Sequence, residues 1–158
     1  MVFMSLISTA IIVKSYEQYK ISTHLSEDVE ITRVVQYRLA VQAYMRMHPD
    51  IGDTMIADDQ LSDYWTPGYH HKEGQWSNYI HGTGPTRTVY IFSMNDDLKS
   101  IGNALFTRAS SSKLVGFKDP ETGKMISLDH IPLPLDLNFV DASGQPVIPA
   151  GALVISGG

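Results

Sequence analysis

Cysteine is absent from the 158 residues, which removes disulfides, thiolate nucleophiles and cysteine-ligated zinc together and fits the cytoplasm or a periplasmic domain that folds without oxidation. Positive charge is scarce. Twelve Lys and Arg face 17 Asp and Glu, the net charge is −5, and no basic cluster occurs anywhere, so the electrostatic footprint of a nucleic-acid binder is missing. Motifs of nucleotide and hydrolytic chemistry are missing too: no Gly-x-x-x-x-Gly-Lys-Ser/Thr, Gly-x-Gly-x-x-Gly after a strand, His-Glu-x-x-His or Gly-x-Ser-x-Gly. Gly82-Thr83-Gly84 is followed by Pro85, which lacks an amide such a phosphate loop would use, and it reads as a hairpin connection. What remains, 43% hydrophobic and 18% charged residues, describes an ordinary folded domain rather than a disordered tail.

One apolar run stands out, Met1 to Val13, which stops at Lys14. It is short of the roughly 20 residues that cross a bilayer and matches the about 7–15 of a signal-peptide core. No Lys or Arg precedes it, and Ser8-Thr9-Ala10 interrupts the run instead of following it, so the flanks do not suit cleavage. The expectation is a retained anchor over residues 1–20, with Tyr16 and Tyr19 at interfacial depth and Lys14 and Lys20 snorkelling. A cleaved signal and a buried helix of a soluble protein stay open. Residues 21–158 are then a single α+β domain.

Ser26 with Glu27 and Asp28 reads as a helix start, where the dipole favours acids. Val34, Tyr37, Val41, Tyr44 and Met45 recur at helical spacing, with Arg33, Arg38, Gln42 and Arg46 elsewhere, and Pro49 ends the helix. Leu61 to Gly68 is a loop or short helix. Gln75 to Ile80 and Arg87 to Ser93 read as strands, the second alternating between two faces. Asn95-Asp96-Asp97 caps a short helix whose buried stripe is Leu98, Ile101 and Leu105. Asp119-Pro120-Glu121-Thr122-Gly123 joins strands at 113–118 and 124–128 in a hairpin. Further strands are expected near Leu135 to Val140 and Ala152 to Ile155, with the prolines around them confining them to edges or short lengths.

Candidate chemistry is thin. His70-His71, Glu73 and His81 are the one group with metal-ligating side chains, but adjacent histidines on an extended segment point to opposite faces, and a solvated loop is expected. Asp58-Asp59 and Asp63 fall in a loop, and Asp96-Asp97 are explained by capping. No catalytic, metal or cofactor residue is therefore assigned. Tyr64, Trp65, Tyr69, Trp76 and Tyr79 crowd a short span, and they either pin the loop onto sheet and helix or form a protein-binding patch.

The fold expected is α+β: a long amphipathic helix packed on an antiparallel sheet of about five to six strands, which is also the pilin plan. The ordered motifs Tyr37…Ala40-Val41…Tyr44…Pro49, Asp59…Leu61…Trp65, Trp76-Ser77-Asn78-Tyr79-Ile80, Val89-Tyr90, Leu114-Val115-Gly116, Ile126-Ser127, Ile131-Pro132-Leu133-Pro134 and Pro149-Ala150-Gly151-Ala152-Leu153-Val154-Ile155 resemble the PilM family of plasmid-type type IV pilus systems. The chain does not resemble the longer, actin-like, nucleotide-binding protein of the same name. The stretch Asp136 to Pro146 is longer than the family pattern suggests. The resemblance implies a non-enzymatic part of a thin-pilus assembly apparatus, anchored in the bacterial inner membrane with its domain facing the periplasm. Implied partners are other pilus-assembly proteins or pilin, and the membrane through residues 1–20. A pilin-like minor subunit, which would lack the usual Gly-Phe processing site, and a small hydrolase are the alternatives.

Overall fold

The computed structural model describes residues 27–99, 101–102, 104–105 and 114–157. The expected anchor over residues 1–20 and the Ser26 cap lie outside them. Among the described residues no helix is long and apolar enough to cross a membrane.

Helix α1 covers residues 27–47. Its last turn is closed by the His48 amide on the Tyr44 carbonyl at 3.0 Å, and Pro49 prevents a further turn. Val34, Tyr37, Val41, Tyr44 and Met45 are buried as the spacing predicts, and Ile31 joins them, each full burial contributing roughly 1.5–3 kcal/mol. Arg38 departs from its expected polar position: it is buried and donates from Nη2 to the Gly157 carbonyl at 2.8 Å. Arg87 caps the helix end, donating to the carbonyls of Met45 (3.3 Å), His48 (3.0 Å) and Ile51 (3.2 Å). A cation there meets both the orphan carbonyls and the negative end of the dipole.

Six antiparallel strands follow: β1 (Ser77–His81), β2 (Thr88–Ser93), β3 (Leu114–Lys118), β4 (Lys124–Ser127), β5 (Pro132–Asp136) and β6 (Leu153–Ser156). Their order across the sheet is β1-β2-β6-β3-β4-β5. Short helices α2 (Asp58–Leu61) and α3 (Asp96–Lys99) precede β1 and follow β2. Leu98, Ile101 and Leu105 are buried as expected.

Of the two outcomes that the prolines allow, the C-terminal strand takes the short length and not the edge. It is short but central, pairing with both β2 and β3. Pro146 and Pro149 precede it and leave its own amides free for two ladders, so they impose no edge position. The proline-bearing strand is also displaced: it is β5 at 132–136 rather than 135–140. There Pro132 and Pro134 lie on an outer edge, where a missing amide costs no ladder bond.

Alternation along β2 sends Val89 and Ile91 toward α1 and Tyr90 and Phe92 to the other face. Both faces are covered. α1 and α3 lie over the first core with Leu153 and Ile155, and residues 137–152 fold over the second, burying Leu137, Ile148 and Ala152 against Met125 and Val154. The β1 edge is closed as well: Thr54 exchanges backbone hydrogen bonds with Ile80 at 2.9 and 3.1 Å. One residue pair further, the Asn78 side chain replaces a backbone, accepting from the Ile56 amide (2.9 Å) and donating to its carbonyl (2.8 Å).

Candidate functional site

Residues 58–71 leave the sheet edge and wrap α1. Asp58 and Asp59 are not in a loop but open α2, where acids suit the helix start, and a 3₁₀ turn (Ser62–Tyr64) extends it. Thr66-Pro67-Gly68-Tyr69 then reverses the chain, with the Tyr69 amide on the Thr66 carbonyl at 2.9 Å and Gly68 at φ +82°. Pro before a left-handed Gly is the type II turn arrangement.

This reversal lays an aromatic shelf along the helix. Tyr64 meets Tyr44 edge-on at 5.4 Å between centroids, and Trp65 meets Tyr69 edge-on at 5.6 Å and lies 4.9 Å from the His71 ring. His71 in turn stacks on Tyr37 at 5.7 Å. Tyr64, Trp65 and Tyr69 are partly buried and pack against the first core.

Beneath the shelf lies a continuous polar network. The Tyr37 hydroxyl donates to Asp58 Oδ1 (3.1 Å) and accepts from Asn78 Nδ2 (2.9 Å). His71 Nε2 is 2.8 Å from Asp58 Oδ2, and a carboxylate acceptor there places the ring proton on Nε2. The Tyr69 hydroxyl lies 3.4 Å from Nδ1. Burial, with Asp58 nearby, drives the Tyr37 phenol well above its usual range, and burial with the Asp58 charge pushes that of Tyr69 up to about 12. Both hydroxyls stay protonated donors across physiological pH.

His71 and Asp58 carry the atoms of a general-base pair, but the His71 side chain is only 8% exposed. With Tyr37 and Trp65 on its ring and Tyr69 at Nδ1, the imidazole braces the loop against α1. The solvated-loop expectation therefore fails for His71. It holds for His70, which is exposed and looks into a groove of about 410 Å³ between α1 and residues 68–70, lined also by Val29, Thr32, Arg33 and Gln36. His81 lies elsewhere, exposed, with Nδ1 2.7 Å from Asp53. Among the described residues no three of His, Asp and Glu are grouped to hold a metal.

The five aromatics, expected either to pin the loop or to form a patch, divide between the two faces of the sheet. Tyr64, Trp65 and Tyr69 form the shelf. Trp76 is buried beneath it in the first core, while Tyr79 is buried on the opposite sheet face against Phe139, since successive β1 residues alternate. Sequence reasoning missed Tyr37, Asp58 and Asn78 as the network's centre. The available signal was Asn78 itself, a polar residue in register with the inward-facing Trp76 and Ile80.

The PilM family model matches residues 2–156, nearly the whole chain. No curated protein and no solved structure matches it. The chain belongs to the PilM family and with it to a type IV pilus biogenesis system.

Proposed function

We propose that this PilM-family chain is a non-enzymatic component of the pilus assembly apparatus, acting by contact with another assembly protein or with pilin. In this reading residues 1–20 hold it at the inner membrane and the domain works in the periplasm. The observation that carries contact as the mode of action is the shelf of Tyr64, Trp65 and Tyr69: three aromatic rings held part-exposed on a preorganised loop. Rigid aromatic anchors are what interfaces use, since little side-chain entropy is lost on docking.

The test is pilus formation by strains carrying Tyr69→Ala or His70→Ala, with thermal melts of both proteins. Tyr69→Ala is expected to lower assembly, because truncating an anchor can cost about 2 kcal/mol of binding, roughly thirtyfold. His70→Ala should leave assembly near normal. Loss of pili with His70→Ala alone, at unchanged stability, overturns the reading in favour of acid–base or metal chemistry. A pilin-like minor subunit is the second reading, favoured by the packing of α1 on an antiparallel sheet; recovery of the chain in sheared pili would support it.

A further inference from the structure

The outer face of α1 carries Asp28, Thr32, Val35, Leu39, Gln42 and Arg46, spaced 4-3-4-3-4. That is a heptad stripe, the pattern that packs one helix against another. Its centre faces solvent: Val35 is 45% and Leu39 48% exposed. Elsewhere association is obstructed. Both sheet faces are covered, Thr54 and Asn78 close the β1 edge, and Pro132 and Pro134 sit on the β5 edge, so strand addition has no ready template.

The stripe is also a palindrome about position 37. Asp28 and Arg46 lie nine residues to either side of it, Thr32 and Gln42 five, Val35 and Leu39 two. We propose that this face of α1 docks a second copy of the same chain, with the two helices antiparallel about a two-fold axis at the level of residue 37. Val35 of each copy then meets Leu39 of the other in an apolar centre, the amide of Gln42 reaches the hydroxyl of Thr32, and Asp28 faces Arg46 at both ends. A parallel pair would instead set Asp28 against Asp28 and Arg46 against Arg46. Charge thus selects the antiparallel register, the role in which surface charges are most effective.

The same two-fold brings Met47 of one copy, 69% exposed, to within about 3 Å along the axis of Val29 in the other at 1.5 Å per residue, on the flank that holds the 410 Å³ groove. An isologous contact of this kind closes after two copies and makes no filament. The surface involved is a helix face and a groove, toward the small end of specific interfaces, so the dimer is a weak one.

The natural lack of cysteine makes cross-linking clean. Full-length Val35→Cys and Leu39→Cys chains, prepared in mild detergent, are mixed and oxidised. The expected dominant product joins Cys at 35 of one copy to Cys at 39 of the other, whose α-carbons share a level, whereas like positions are offset by about 6 Å along the axis at 1.5 Å per residue. Sedimentation equilibrium should show association weakened at least about tenfold by Leu39→Glu and by Arg46→Asp, with Asp28→Arg plus Arg46→Asp recovering most of the loss. Unchanged melting checks that each variant is folded. Absence of cross-linked dimer, dominance of like-position links, or no effect of Leu39→Glu overturns the proposal. So does protection of the two cysteines from a water-soluble maleimide in dilute monomer, which would show the chain's own residues covering this face.

Discussion

Replacing Asn78 by Ala tests how the shelf is held. Asn78 is 1% exposed and makes three hydrogen bonds: from the Ile56 amide, to the Ile56 carbonyl and to the Tyr37 hydroxyl. Each bond contributes about 1 kcal/mol net, and a buried group left without a partner costs about 1–3 kcal/mol. Ile56 is itself buried, so its amide and carbonyl are stranded together when the side chain is cut back. The expected loss is about 3–5 kcal/mol, a large fraction of the 5–15 kcal/mol typical of a domain. At about 2–4 °C per kcal/mol for this chain length, melting should fall by roughly 10 °C.

The assay is urea unfolding followed by tryptophan fluorescence, with near-ultraviolet circular dichroism of the native state. Trp65 should respond before global unfolding, because Asn78 supports Tyr37 and Tyr37 supports Asp58 and His71. Tyr37→Phe provides the comparison: it keeps the ring stack but deletes the hydroxyl that joins Asn78 to Asp58, at about 1–2 kcal/mol. Since the two residues touch, the double variant should lose less than the sum of the single losses, with a coupling of at least about 0.5 kcal/mol. A loss under about 1 kcal/mol for Asn78→Ala, or strict additivity with Tyr37→Phe, would refute the network as the brace of this loop.

Two further outcomes follow from the same structure. Arg87→Met should destabilise by about 2 kcal/mol by stranding carbonyls at the end of α1, and Arg87→Lys should recover only part of it because an ammonium cannot span three acceptors as a fork does; equal stability of all three proteins in urea titration would reject the cap. Tyr69 has a folded-state pKa raised from 10.0 to about 12, so its contribution is fully present below pH 10 and is lost as pH rises through about 12. Absorbance titration at 295 nm should therefore show a tyrosine step near pH 10 of the same size in the parent and in Tyr69→Phe, and a step that shrinks in the variant would mean the shelf is not packed.

Much of the architecture was legible because its signals are local. Helical spacing located the buried face of α1, period-two alternation located both faces of β2, and Pro120 with Gly123 located the β3–β4 hairpin, where Gly123 takes φ +67°. What was not legible depends on contacts distant in sequence. Insertion of β6 between β2 and β3 is settled by which hydrophobic strand completes the layer under α1, and no local feature of residues 153–156 reveals it. Arg38 looked like a solvent residue until Gly157 arrived to accept from it, 119 positions away. The aromatic run reads as a single group because Trp76 and Tyr79 are close in sequence, with pinning and patch both open; an odd separation along a strand sends them to opposite cores.

Those long-range contacts also explain how a loop is ordered without being fixed by its own sequence. Residues 64–71 have few local hydrogen bonds beyond the turn at Thr66, and an isolated loop of this kind would lose affinity to the entropy of ordering on contact. Here the ordering is supplied beforehand by Asp58 from α2, Tyr37 from α1 and Asn78 from β1, three elements that the hydrophobic core already holds in place. The stacked His71 transmits that rigidity to Trp65. Conservative removal of the imidazole should therefore separate folding from contact: His71→Gln retains a donor toward Asp58 at the Nε2 position but loses the ring on which Trp65 and Tyr37 pack, so the domain should stay folded while the shelf loosens. Faster hydrogen exchange confined to residues 64–71 and a loss of pilus assembly matching that of Tyr69→Ala are the expected outcomes. Native exchange rates together with lost assembly would instead assign His71 a chemical role and undo the bracing argument.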